Sequence, residues 1–326
     1  MNIRLLSVAA LGAAAALGVT RSFSAQVSDP PPAWAFPVNP PSKSSPAGPK
    51  DPDKVEHVAG SRVTYTDRQL DDETFVPDWF PAEHAAIPRI VMNGRKPAWP
   101  CAMCHMITGN GGPAEAALPG LPASYIIEQV REFRAGRRAA AQPQMLSARG
   151  MILEARRVSD ADLAVAAQYF AQLKFTSHFH VIESNTAPKT RVGEVSLYVK
   201  IPGGGTEPLG ERIVEVPDDA SQWQLGNPHT DFTAYVPEGS IARGRRLVAL
   251  GDGAEPCRSC HGPALRGVGN VPPLAGRSPS YLARQLYDFK HGTRRGPAAA
   301  PMLPEVANMT PADRIAIVAY LASLPP

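Results

Sequence analysis

Cys101-Ala-Met-Cys104-His105 and Cys257-Arg-Ser-Cys260-His261 are two copies of one chemical unit: two thiols three positions apart, with an imidazole directly after the second. Such a unit attaches c-type haem. The thiols add across the two vinyl groups, and the histidine is held against the iron as its proximal ligand. The two copies use all four cysteines, so no thiol remains for a disulfide or a separate metal site. Competing chemistry is poorly served. Two Cys-x-x-Cys pairs could form a four-thiolate zinc knot, but an offset of 156 residues (101 to 257) lies far outside zinc-module spacing. A thioredoxin-like dithiol does not call for the histidine, and it sits in a βαβ pattern that this sequence lacks.

An iron held this way has a second axial position to define. A methionine thioether there favours reduced iron and raises the potential, which suits electron transfer, whereas an open or labile position suits binding or chemistry. Met302, in Pro301-Met-Leu-Pro304, follows His261 by 41 residues, and Met309 is its rival. In the first copy Met151 competes with Met145. A shift of 156 residues puts Met145 one position short of Met302, while a shift of 151 puts Met151 directly on it. Met151 and Met302 each precede an aspartate (Asp162, Asp313) by 11 residues. That nearer anchor favours Met151.

The elements around these residues repeat as well. The shift of 156 carries Tyr125, Gln129, Phe133, Gly136 and Arg138 onto Tyr281, Gln285, Phe289, Gly292 and Arg294. The shift of 151 carries Ala161-Asp162 onto Ala312-Asp313, and Tyr169 and Leu173 onto Tyr320 and Leu324. Each copy therefore predicts a haem motif, a Gly/Pro-rich loop, a helix (124–135; 280–290), a loop and a last helix. The apolar stripes Tyr125, Ile126, Val130, Phe133 and Tyr281, Leu282, Leu286, Phe289 have helical spacing. Ser159 and Thr310 are N-caps with an acid three residues on, and Pro311 suits the first helical position. Residues 185–240 lie outside the repeat. They alternate β-branched and polar residues around Gly203-Gly-Gly205 and predict a few short strands, too few for an independent sheet domain. His178 and His180, in His-Phe-His, could serve haem or a metal, or form a polar strand edge.

The N-terminus predicts an export signal over 1–25: Arg4, then an apolar run from Leu5 to Val19, then small residues. That run is short for a membrane span, and no other stretch is long enough. Export to the periplasm agrees with haem attachment outside the cytoplasm. Residues 26–84 read as an acidic, proline-rich extension, in which the prolines crowd 30–52 and predict an extended leader with no core of its own. Charge follows the same division. Residues 85–180 hold 11 Lys+Arg against 6 Asp+Glu and 241–326 hold 11 against 5, whereas 27–84 hold 5 against 10 and 181–240 hold 4 against 9. Basic residues interleaved with haem motifs in an exported chain argue against nucleic acid. They would suit an acidic redox partner.

The second copy continues from His261-Gly262 through Pro273-Leu-Ala-Gly-Arg-Ser-Pro-Ser-Tyr-Leu-Ala-Arg-Gln-Leu-Tyr-Asp-Phe-Lys290 to Met302 and Asp313-Arg-Ile-Ala-Ile-Val-Ala-Tyr-Leu-Ala-Ser-Leu324. This resembles class I cytochrome c domains of the c4 and c553 type, and the tandem copy resembles a dihaem c4 relative. The resemblance covers about residues 90–180 and 241–326. It implies a mainly α protein: two tandem cytochrome c domains (85–184 and 241–326) joined by the irregular, short-stranded segment 185–240. It also implies two covalent haem c groups, on Cys101/Cys104 and Cys257/Cys260, with His105/Met151 and His261/Met302 as axial pairs. A further implication is a backbone carbonyl at Pro273 accepting a bond from the proximal imidazole, with Ala117 in the corresponding place. Departures are Met106 where a glycine is usual, Leu118-Pro-Gly120 for Leu-Ala-Gly, and both accessory segments. The function implied is single-electron transfer between redox protein partners in the periplasm. A haem oxidoreductase acting on peroxide or sulfur compounds, or the electron-accepting subunit of a dehydrogenase, are the alternatives.

Overall fold

The computed structural model of the chain describes residues 29–40, 51–72, 74–193, 196–251 and 255–326. The export signal expected over 1–25, and residues 41–50 of the proline-rich stretch, lie outside them. The rest of the extension carries a two-stranded ribbon, β1 (Val55–Glu56) with β2 (Tyr65–Thr66), and a one-turn helix α1 (Asp67–Leu70) started by a Thr66/Gln69 capping box. It supplies Phe36 to a core built elsewhere and packs Trp79 on its own Tyr65, with ring centroids 4.7 Å apart. Phe36 is buried edge-on against Tyr287, with ring centroids 5.4 Å apart, and the buried Trp79 donates its indole N–H to the Leu225 carbonyl at 2.7 Å. Burying such rings contributes about 1.5–3 kcal/mol each, enough to seat a segment whose prolines favour an extended chain.

The first copy of the repeat forms α2 (Arg89–Met92), α3 (Ala102–His105), α4 (Ala123–Arg134), α5 (Leu146–Arg157) and α6 (Asp160–Gln172). The Ser159 hydroxyl caps α6 by accepting the Asp162 N–H. Helix α5 occupies what the sequence predicts as loop.

The connecting segment holds β3 (Phe179–Glu183), β4 (Thr186–Pro188), β5 (Thr190–Val192), β6 (Tyr198–Lys200), β7 (Thr206–Pro208), β8 (Val214–Pro217), α7 (Ala220–Gln224) and β9 (Phe232–Val236). Strand β9 lies between β3, its parallel neighbour, and antiparallel β8, while β4–β7 and β5–β6 are small ribbons. The sheet thus draws in β3, just before residue 185.

The second copy comprises α8 (Ser240–Leu250), α9 (Cys257–His261), α10 (Pro279–Lys290), α11 (Met302–Ala307) and α12 (Pro311–Ser323). Helix α12 is buried from Asp313 to Ala322. It packs most closely on α8, and this crossing requires Gly244: a Cβ there would lie 1.9 Å from the Ala316 carbonyl oxygen. The three-stranded sheet also packs on α12, through β3. It is tied to α10 by Glu215, which accepts bonds from Ser278 Oγ (3.0 Å) and from the Ser280 N–H (3.1 Å). The architecture is therefore mainly α: two helical lobes of matching order joined by a short-stranded segment. Among the described residues no helix is long and apolar enough to cross a membrane.

Thr310 starts α12 as its sequence predicts. Its Oγ1 accepts the Asp313 N–H at 3.1 Å, and the Asp313 carboxylate accepts the Thr310 N–H at 3.1 Å. Thr310→Ala is expected to lower global stability by ~1 kcal/mol. Urea denaturation would show this as an earlier midpoint at unchanged slope.

Candidate functional site

Both haem motifs lie on single helical turns. Cys101 heads α3, which carries Cys104 and His105, and α9 runs from Cys257 to His261. Spacings of three and four residues put the two sulfurs and the imidazole on one helical face. The histidine rings are oriented from behind. His105 Nδ1 lies 3.0 Å from the Ala116 carbonyl oxygen, and His261 Nδ1 lies 2.8 Å from that of Pro272. A carbonyl can only accept, so Nδ1 carries the proton and Nε2 keeps its lone pair for a metal. Burial pushes the His105 imidazole down to about 4 and lowers His261 as well. Both rings therefore stay neutral, the form that can ligate iron.

The carbonyl expected at Pro273, and its counterpart at Ala117, is corrected by one residue in each lobe. Adjacent carbonyls of an extended chain point to opposite sides, so only one of two neighbours can face the ring. Pro273 instead lies over Gly267 and lines the cavity described below. The Ala117 carbonyl is engaged by Arg277. The residue after each histidine must adopt positive φ: +83° at Gly262, but +60° at Met106. A side chain there costs ~1–3 kcal/mol, so the first motif is held under strain that the second avoids.

The methionines fall into matching nests. Met151 packs with Val130, Phe133, Ala155 and Val158. Met302 packs with Leu286, Phe289, Val306 and Met309. The two repeat shifts carry Val130, Phe133, Met151, Ala155 and Val158 onto Leu286, Phe289, Met302, Val306 and Met309, while Ile127 and Leu163 of the first nest and Ala299 of the second have no counterpart in the other. Met309 thereby corresponds to Val158, which has no sulfur, so the sulfur common to both nests is that of Met151 and Met302. Met145 is 1% exposed in a different cluster, with Phe36 and Ala140.

A cavity of about 510 Å³ adjoins the second motif, lined by Cys257, Cys260, His261, Pro272, Pro273 and Met302. Its wall continues onto the first lobe through Tyr125, Gln129 and Arg138. Here the repeat forms a pseudo-symmetric polar seam. Arg138 donates to Gln129 (2.8 Å), Gln285 (3.0 Å) and the Tyr281 hydroxyl (3.0 Å). Arg294 donates to Gln285 (3.0 Å), Gln129 (2.8 Å) and the Tyr125 hydroxyl (2.8 Å). Arg277 also lines this cavity. All three arginines are under 9% exposed. Burial pushes Arg277 down to about 10, while burial and the facing Arg294 lower Arg138. Burial alone would raise the Tyr125 phenol, but Arg294 and Arg138 turn the net shift downward. Arg277 Nε is buried without a hydrogen-bond partner. An apolar cavity bearing two thiols, a neutral imidazole and a thioether, with one unpaired guanidinium donor, Arg277 Nε, among its lining residues, fits a haem and a carboxylate of it.

The repeat alignment displays Tyr125, Gln129 and Arg138 with their partners, but sequence alone does not reveal that they face one another. Arg277 gives no sequence signal, because its counterpart is Leu121. His178 and His180 share Asp231, at 3.0 and 3.5 Å, on the connecting sheet, and neither belongs to the haem cavity. Trp223 of α7 presses on Gly112, where a Cβ would come within 2.5 Å of the indole, so the connecting segment covers the loop after the first motif.

The cytochrome c family model matches residues 241–325. The thiosulfate dehydrogenase electron acceptor of Thiomonas intermedia (strain K12) is 29% identical over 232 residues, covering 69% of this chain and 78% of that protein. Cytochrome c4 of Pseudomonas aeruginosa is 24% identical over 236 residues, covering 71% of this chain and 87% of its own. Cytochrome c-554(547) of Halothiobacillus neapolitanus is 34% identical over 76 residues, which are 21% of this chain and 84% of its own.

Proposed function

The chain belongs to the cytochrome c family, as a dihaem class I electron-transfer protein with two covalent haem c groups, and from this we propose that it accepts single electrons from a dehydrogenase in the periplasm and passes them to a further redox protein. In this reading Cys101/Cys104 and Cys257/Cys260 form the thioethers, and His105/Met151 and His261/Met302 are the axial pairs. The haems supply the one-electron iron couple. The protein holds each imidazole neutral, sets its rotation through Ala116 or Pro272, and surrounds each thioether with hydrocarbon. The observation that carries the reading is the pair of matching methionine nests. A sulfur on both irons leaves no open position for peroxide or a sulfur substrate, which favours a carrier over a haem oxidoreductase. The relative named as a thiosulfate dehydrogenase electron acceptor supports a donor that oxidises a sulfur compound.

The test mixes the purified oxidised protein with a thiosulfate dehydrogenase and thiosulfate. Two electrons should enter per chain, at a rate that falls as salt screens the charged lobes. Neither oxidation state should show a spectral change with cyanide or carbon monoxide on the same timescale. Rapid binding of either ligand, or turnover of thiosulfate by the protein alone, would establish the enzyme reading instead.

A further inference from the structure

The two proximal loops are braced differently. In the second lobe the loop is stiffened by Pro272-Pro273 and anchored within its own lobe: Leu274 N–H bonds to Leu265 O at 2.8 Å, and Gly276 N–H to Leu321 O at 2.9 Å. In the first lobe alanines replace both prolines. Leu118 N–H still bonds to Gly109 O at 2.9 Å, but no bond from Gly120 to α6 matches that of Gly276 among the described residues. The missing brace comes from the other lobe. Arg277 Nη1 donates to the Ala117 carbonyl at 2.5 Å and Nη2 to the Pro119 carbonyl at 3.0 Å. The guanidinium is 4% exposed and lies 4.5 Å from the ring centroid of Phe175. These carbonyls lie one and three residues after Ala116, whose own carbonyl holds His105 Nδ1 at 3.0 Å.

We propose that Arg277 is a positioning residue for the first haem: from the second lobe it fixes the carbonyl that orients and polarises His105. It stands in for the prolines that do the same for His261. One planar fork on two carbonyls of a single loop holds both the position and the tilt of Ala116, which a single-point donor such as lysine does not. A firm bond to Nδ1–H strengthens imidazole as an iron donor and favours oxidised iron. The inference rests on His105 being the proximal ligand.

The experiment compares the Nδ1 protons of the two histidines by NMR in the native dihaem protein and in Arg277→Lys, which keeps the charge. Ligand imidazoles give strongly shifted proton signals in the oxidised state. In R277K the His105 Nδ1–H should exchange with solvent at least tenfold faster, with His261 unchanged, a difference that an effect on the second cavity, which Arg277 also lines, would not produce. Adding Ala117→Pro, which restricts Ala116 as a proline restricts the residue before it, should restore slow exchange. Phe175→Leu leaves the donors intact and removes only the ring, and should produce a smaller change of the same kind should R277K not fold. Equal effects on both histidines, or none on either, overturn the role of Arg277. Absence of shifted imidazole signals in the native protein would instead overturn the ligand assignment.

Discussion

Met151→Ala removes half of the weak far-red absorption that a thioether on oxidised haem iron produces, whereas Met145→Ala leaves that band whole and lowers stability instead. The two residues lie six positions apart and are both apolar sulfur side chains, so their surroundings decide. Met145 is 1% exposed and packs into a large core with Phe36 and Ala140. Truncating such a methionine costs ~2–5 kcal/mol through lost burial and the hole left behind. Met151 is only half-buried, in a nest of which Val130, Phe133, Ala155 and Val158 correspond to Leu286, Phe289, Val306 and Met309 around Met302. Its truncation should cost less in folding and more in iron chemistry. The potential of one haem should fall, because losing the thioether favours oxidised iron, and the other should stay in place. Met302→Ala should remove the other half of the band, and the double variant all of it. Absorption spectra, a redox titration and urea denaturation of the four proteins check this together. A halved band in Met145→Ala would move the ligand to residue 145 and discard the nest correspondence.

Much of this arrangement is legible before folding, because local chemistry fixes it. The haem motifs require their own spacing, Thr310 and Ser159 mark helix starts by hydrogen bonds within three residues, and the repeat shift of 151 already pairs Met151 with Met302. Helix α5 escapes the sequence for a local reason too. Met145 at its N-cap makes no side-chain bond, and Gly150 lies in its middle, so nothing short of packing by Ala155 and Met151 holds it helical. The polar seam and Arg277 escape for another. Their bonds between the lobes span 143 to 169 residues, and a residue's own neighbours carry no record of a partner that far away. The carbonyl facing His261 was displaced by one position because two consecutive prolines satisfy the same pattern, and only the path of the backbone selects Pro272. Accessory segments are the least legible of all. Nothing in a proline-rich composition foretells that Phe36 and Trp79 seat the extension so firmly.

Replacing both cysteines of the second motif, Cys257→Ala with Cys260→Ala, should abolish more than one chromophore. The cavity beside this motif measures about 510 Å³. At roughly 24 cal/mol per Å³, a hole of that size would cost ~12 kcal/mol if nothing collapsed or filled with water. A whole domain has only ~5–15 kcal/mol to lose, so even half that amount leaves this lobe unable to hold its fold. Ile317 and Leu321 of α12 line the cavity, and the same helix is the one on which α8 and β3 pack. Loss of the second lobe then reaches the first by two routes. The seam loses Arg294, Tyr281 and Gln285, which bond to Arg138, Gln129 and Tyr125, and the loop behind His105 loses the Arg277 fork. Ser124 and Glu128 of the first lobe reach the second proximal loop only through the exposed side chain of Asn270, at 2.7 and 3.2 Å, and among the described residues no first-lobe fork holds the carbonyls beside Pro272 as Arg277 holds those beside Ala116, since Leu121 stands where Arg277 stands in the repeat. The damage should therefore be unequal. The second-motif variant should carry the mass of one haem, be cut by protease within 241–326, and show faster His105 Nδ1–H exchange. The matching first-motif variant, Cys101→Ala with Cys104→Ala, should leave His261 exchange close to that of the parent. Intact-mass measurement, limited proteolysis and NMR on the two variants decide the matter, and a second-motif variant that unfolds as cooperatively and as late as the parent would refute the dependence of this lobe on its haem.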